Sequence, residues 1–443
     1  MKNKLRIALL LLCLCPMTHL LGQNTLSTLE NMHYVGKGET WETIAAKHGV
    51  SVLDLQAANP DIKINKLKKG ILLIVPSPSP KTESLPPQKE EHRFIRTANH
   101  DMKVGVLLPF SDAKMVEFYR GLLMAADSVR KAGANFEIFT WDCGTTSAQI
   151  EPLLPKLGKL DVLFGPVSDT QIPAVAEVCK EQGTRLVLPF SSDLALQEYP
   201  LVYAATAPNQ IVFDAAAKKL TSYFSDRRFV IVYGNNADTR GKMLSEMLKQ
   251  SLIQRTTIAP KVLELEGDEA AYISAFSMSQ NNMVLLDDCS IRSLNILLAR
   301  LKDFRQKHPE YRLSLIGYPE WQSETQRLLN DYFTFDTYIL SPYYYNVLDS
   351  KNKRFQHTYE KFFRTPVAQN NPRLAAMGFD LGYYFLSGIS SLGDTFEQMQ
   401  GSLHQEPFQN RFDFKRSTSG MSFYNHFVQF IHFTPDNKIE LIR

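Results

Sequence analysis

"FGPVSDTQIPAVAEVCKEQGTRLVLPFSSD", Phe164 to Asp193, decides the fold. It opens on the end of an apolar run, "DVLFGP" (161–166), and closes on another, "RLVLPF" (185–190). Both are dense in Val, Leu and Phe and show little alternation, as strands covered on both faces do. A helix-length stretch separates them. Strand, helix and strand in that order make a βαβ unit.

The same kind of run recurs outward in both directions: "KVGVLLPF" (103–110), "FEIFTW" (136–141), "RFVIVYG" (228–234), "NMVLLDD" (282–288), "RLSLIG" (312–317) and "DTYILS" (336–341). Helical stretches lie between them. In "KMVEFYRGLLMAADSVRKAG" (114–133), Met115, Phe118, Tyr119, Leu122, Ala126 and Val129 share one face, and Gly133 ends the run. The fold class is therefore α/β with parallel sheets. So many strands are more than one small sheet usually holds, so two lobes are expected. Lobe 1 takes about 102–206 and 341–420, and lobe 2 about 207–340 and 421–443. The end, "GMSFYNHFVQFIHFTPDNKIELIR" (420–443), alternates aromatic and polar residues and turns at Pro435-Asp436-Asn437, which predicts a closing hairpin.

Ahead of this body stands a small unit, His33 to Pro76. "HYVG" reads as a strand. Thr40 caps a helix carrying Trp41, Ile44 and Ala45, and Gly49 stops it. Ser51 and Asp54 start a second helix with Val52, Leu55 and Ala58, ended by Asn59-Pro60. Gly70 turns the chain into "ILLIVP", a second strand. The order is βααβ. "PSPSPKTESLPPQKEE" (76–91) then breaks the pattern with Pro, Ser and charge. It reads as an extended linker over 77–101, with a reach of ~75 Å at about 3.1 Å per residue.

The small unit resembles the LysM domain, on "YVGKGETWETIAAKHGVSVLDLQAANP" (34–60) and "LKKGILLIVP" (67–76). Glu39 stands where Asp is usual and Trp41 where Leu is usual. The resemblance implies binding of N-acetylglucosamine-containing glycan such as peptidoglycan. A neutral glycan calls for backbone donors and acceptors in loops over an apolar floor. The turn Gly38-Glu39-Thr40 and the loop Asn59-Pro60-Asp61-Ile62 are the expected groove. Thr40 and Asn59, taken singly, also read as a cap and a turn.

The large unit, Met102 to Arg443, resembles the type I periplasmic binding fold of amino-acid and branched-chain amino-acid receptors. The resemblance rests on "KVGVLLPFSD" (103–112), the opening βαβ segment, "AAMGFDLGYYF" (375–385) and the closing hairpin. It implies a ligand carboxylate near Gly165, Pro166 and Ser168, at a helix start. It implies amine contacts at Ser191 and Ser192. "VYGNNAD" (232–238) matches the family only loosely, with Tyr233 as its candidate; Asp287 is a candidate for the amino group. Ser168 and Asp169 read equally as an N-cap, and Asp287-Asp288 as a helix cap. Outer-membrane activators of penicillin-binding proteins use the same fold as protein-binding scaffolds. The expected partners are thus peptidoglycan, an amino-acid-like or muropeptide-like ligand, or a protein of cell-wall synthesis or transport. An amino-acid transport receptor is the alternative reading.

Of the 443 residues, 44% are apolar and 21% charged, with a net charge of +3. Without a basic stretch interleaved with aromatics, nucleic acid is not an expected partner. "MKNKLRIALLLLCLCPMTHLLGQ" (1–23) has a basic start and a short apolar run, Ile7–Leu14. It reads as a secretory signal peptide ending near Gly22, which predicts a periplasmic protein. Cys13 and Cys15 raise lipidation, but each follows Leu, where that signal normally has Gly or Ala. Beyond the leader, Cys143, Cys179 and Cys289 read as buried thiols. The sequence holds no HExxH, G-x-S-x-G, P-loop or G-x-G-x-x-G, so no enzyme and no cofactor is expected. A peptidoglycan hydrolase, which often accompanies LysM, would need a catalytic domain that residues after Asp101 do not resemble.

Overall fold

The computed structural model describes residues 32–57, 59, 62, 67–69, 71–75, 101–191, 198–234, 238–256, 259–347, 349–416 and 421–443. The predicted signal peptide, and the linker up to Asp101, lie outside these. The chain divides into two compact units between Glu90 and Glu91.

In the first unit, β1 (Met32–Tyr34) pairs antiparallel with β2 (Leu72–Ile74), placing His33 opposite Leu73. The helices are Trp41–His48 and Val52–Ala57. The local signals do what their chemistry requires. Thr40 and Thr43 cap reciprocally, and Gly49, at φ 67°, donates its N–H to the end of the first helix. Ser51 Oγ accepts from Asp54 N at 3.0 Å and donates to its carboxylate at 2.7 Å. Trp41, Ile44, Leu55 and Leu73 meet in a single small core.

The second unit holds β3 (Met102–Leu108), β4 (Phe136–Asp142), β5 (Val162–Phe164), β6 (Arg185–Leu188), β7 (Val202–Ala204), β8 (Arg228–Tyr233), β9 (Lys261–Glu264), β10 (Asn282–Leu286), β11 (Leu313–Gly317), β12 (Thr337–Ser341), β13 (Phe414–Arg416), β14 (Phe423–Asn425), β15 (Gln429–Phe433) and β16 (Ile439–Ile442). Every apolar run named above between residues 103 and 341 contains a strand. β7, β9 and β13 carried too few apolar residues to be read beforehand. One sheet runs β13-β14-β7-β6-β5-β3-β4 and the other β16-β15-β12-β11-β10-β8-β9. Their interiors are parallel. Antiparallel partners close one edge of each, β13 on β14 and β15–β16 on β12.

The closing hairpin forms as β15 and β16 around Thr434–Lys438. The expected boundary at about 421 is corrected. β14 pairs with β7 and so belongs to lobe 1, because Phe423 stacks on Tyr203 with ring planes 2° apart. The chain therefore passes between lobes after β7, after β12 and between β14 and β15.

Helix Ala113–Lys131 packs on helix Leu374–Leu392 at close range. A methyl group at Gly378 would stand 2.0 Å from Phe118 O, and one at Gly121 would stand 1.9 Å from Ala375 O. Glycine is needed at both for backbone approach, not for its dihedral freedom.

Candidate functional site

In the first unit the predicted groove residues are largely occupied with shaping their own loops. Glu39 Oε2 accepts from Gly36 N at 2.7 Å and from His33 Nε2 at 2.7 Å. The Gly36 N–H, then the His33 hydrogen bond, hold this carboxyl down at about 2. His33 Nδ1 meets His48 Nε2 at 3.0 Å. Burial, then the neighbouring His33, keeps His48 below its ordinary value. Glu39, His33 and His48 thus form one hydrogen-bonded chain bracing the 36–39 turn against β1. Asn59 is buried and donates its side-chain amide to Leu55 O at 2.7 Å. Its backbone carbonyl accepts from Ile62 N at 3.2 Å. Exposed Gly38, at φ 83°, is left to face outward, whereas half-buried Ile62 packs against the small core. Pro60 and Asp61 lie outside the described residues.

In the second unit a cavity of about 290 Å³ lies between the lobes. Its walls come from residues just past the carboxyl ends of strands, where open α/β sheets present ligands. Phe190 follows β6, Tyr318 follows β11, Tyr343 follows β12 and Phe427 follows β14; Phe213 and Met377 add apolar wall from helices. All three passages between the lobes touch it, through Ala205–Ala207, Pro342–Tyr343 and Asn425–Phe427. An occupant would therefore rest on the segments that join the lobes. At one side Arg240 forms an ion pair with Glu320 and donates to Cys289 Sγ at 2.9 Å. Burial, then a hydrogen bond to Asp238, pushes the Cys289 thiol up to about 12.

None of Ser168, Asp169, Ser191, Tyr233 and Asp287 lines this cavity. Ser168 Oγ donates to Thr145 O at 2.9 Å, fastening one loop to another. It does not cap the following helix, Ile172–Gln182, whose N-cap residue is Gln171 and makes no side-chain cap hydrogen bond. Asp169 accepts from Ser191 Oγ at 3.1 Å. Tyr233 OH accepts from Lys249 Nζ at 2.6 Å. Asp287 accepts from Gly234 N at 2.6 Å, and burial raises its carboxyl above the ordinary range. Helix Ile291–Lys307 is capped by Ser290, while Asp288 braces Ser290 N and Ser293 Oγ. Ser192 lies outside the described residues. Residues past strand ends do line the cavity, but Ser191, Asp287 and Tyr233 stand one, two and seven places from the nearest lining residues, Phe190, Cys289 and Arg240, and Ser168 and Asp169 lie more than twenty places away. "TRG" at Thr239–Gly241 and "YPEW" at Tyr318–Trp321, each just beyond a strand, were the signals for Arg240 and Glu320.

Residues 33–76 match the LysM domain family. No curated protein matches the chain. Among solved structures, a protein assigned to branched-chain amino acid ABC transport from Rhodospirillum rubrum is similar at 13% identity. That match covers 77% of this chain and 100% of the other, with a TM-score of 0.55. Full-length LpoA from Haemophilus influenzae is similar at 12% identity, covering 77% of this chain and 59% of the other, with a TM-score of 0.50. The small unit is a LysM domain, and the body has the type I periplasmic binding fold.

Proposed function

We propose that this is a secreted, periplasmic, non-enzymatic protein. Its LysM domain holds N-acetylglucosamine-containing peptidoglycan, and its two-lobed body binds a small ligand in the interlobe cavity. The observation that carries the first half is the LysM match over residues 33–76, with its turn at Gly38 braced from inside by Glu39. The second half is supported by a cavity touching all three passages between the lobes, so that filling it and closing the lobes are coupled. A single LysM copy has a shallow groove and is expected to bind weakly. The full chain should be retained on purified sacculi, and the chain lacking residues 33–76 should not. Equal retention of the two would refute the wall-binding half. A thermal-shift panel of amino acids and muropeptide fragments tests the other half, since a ligand of the folded state must raise the midpoint.

A second reading, a protein-binding scaffold in cell-wall metabolism, is favoured by the tether itself. A transport receptor must travel to its permease, and a hold on the wall works against that.

A further inference from the structure

Resting on the reading that the body binds a small ligand, we propose that the interlobe cavity takes an uncharged, largely apolar molecule rather than an amino-acid zwitterion. Arg240 and Glu320 are the charged side chains that line the cavity, and they neutralise each other. The second Arg240 nitrogen is engaged by Cys289. That sulfur is a neutral thiol, so it leaves no anion to be matched by a cation.

Most other polar groups of the lining are already committed. Tyr318 OH donates to Leu286 O at 2.5 Å, and Thr206 Oγ1 to Pro189 O at 3.0 Å. Asn425 Oδ1 accepts from Asp413 N at 2.9 Å and from Phe427 N at 3.0 Å. Its amide nitrogen faces Ala205 O and Arg411 O, each at 3.3 Å. Asn410 Oδ1 accepts from Gln409 Nε2 at 2.7 Å. Among the described residues, the Asn209 amide, the Asn410 amide nitrogen and the Tyr343 hydroxyl carry no side-chain hydrogen bond to the protein. A carboxylate and an ammonium brought here would lose water without gaining a charged partner, unless they broke the Arg240–Glu320 pair. An aromatic or branched body carrying one or two neutral hydrogen-bonding atoms meets both the aromatic walls and the spare amides and hydroxyl.

Matched probes separate the two chemistries: indole against L-tryptophan, and p-cresol against L-tyrosine, titrated calorimetrically into the full chain. Indole and p-cresol should bind at least about tenfold more tightly than their amino acids, a difference of about 1.4 kcal/mol. Val212→Trp, which fills the cavity from the first turn of helix Asn209–Tyr223, should abolish that binding. Should this variant not fold, Asn209→Trp blocks the same rim from an exposed position. Tighter binding of the amino acids would overturn the inference and leave the small-ligand reading intact. Binding of the neutral probes that survives in the folded cavity-filled variant would overturn it as well. No binding by any of the four, with the wider amino-acid and muropeptide panel also silent, would overturn both.

Discussion

The LysM domain and the two-lobed body place their candidate sites by opposite means. In the LysM domain, Glu39, the group that shapes the turn, finds partners at Gly36 and His33, and Asn59 finds Leu55. All of these are near in sequence. In the body, the cavity wall joins Phe190, Tyr318, Tyr343 and Phe427, drawn from strand ends across both sheets, with Phe213 from a helix. The first kind of site survives as long as a short segment keeps its local hydrogen bonds. The second exists only while two sheets and three passages hold their register.

The largest test of that contrast is Trp41→Ala. Trp41 is 4% exposed in a core of few residues. Emptying it costs about 3–5 kcal/mol, as much as so small a core supplies in all. The LysM domain should unfold and retention on sacculi should vanish, while the body's calorimetric transition stays where it was. A shifted body transition would mean that the two units are energetically coupled.

Gly378→Ala is the counterpart in the body. The added methyl meets Phe118 O at 2.0 Å, and a carbonyl on a packed helix cannot step aside. A loss of ~1–3 kcal/mol is expected, with the body's midpoint lowered and LysM retention on sacculi unchanged. A neutral result would mean that the two helices pack more loosely than their spacing implies.

The smallest effect is a pH dependence confined to the LysM domain. The Glu39 carboxyl is held at about 2, below its ordinary 4.5. A lowered carboxyl contributes stability that is complete above 4.5 and lost as pH falls toward 2. The LysM midpoint should fall through that window, and Glu39→Gln should remove most of the slope. If the variant keeps the slope, another group titrates there.

Much was legible because its causes are local or periodic. The runs 103–110, 161–166, 185–190 and 228–234 could only be buried strands. Thr40, Gly49 and Ser51 set helix ends through their own side chains or dihedrals. β7 and β9 escaped because three or four residues do not establish a period, and β9 lies at an edge with most of its side chains exposed. The assignment of β14 to lobe 1 depended on Tyr203, more than two hundred residues away.

The sequence by itself determined the α/β class, the βααβ unit and the strands whose ends border the interlobe cavity. These follow from hydrophobic period and capping chemistry, which act within a few residues. Tertiary structure alone decided which strand-end side chains face the cavity. It turned Ser168 toward Thr145, set Arg240 against Glu320, and made Gly378 a contact point for Phe118. It also gave the Asp380 carboxylate to the N–H groups of Phe408, Gln409 and Asn410, the last of which lines the cavity. The physical reason is that a side chain's direction at a strand end depends on the partner the neighbouring sheet or loop offers, and that partner is supplied by chain far away.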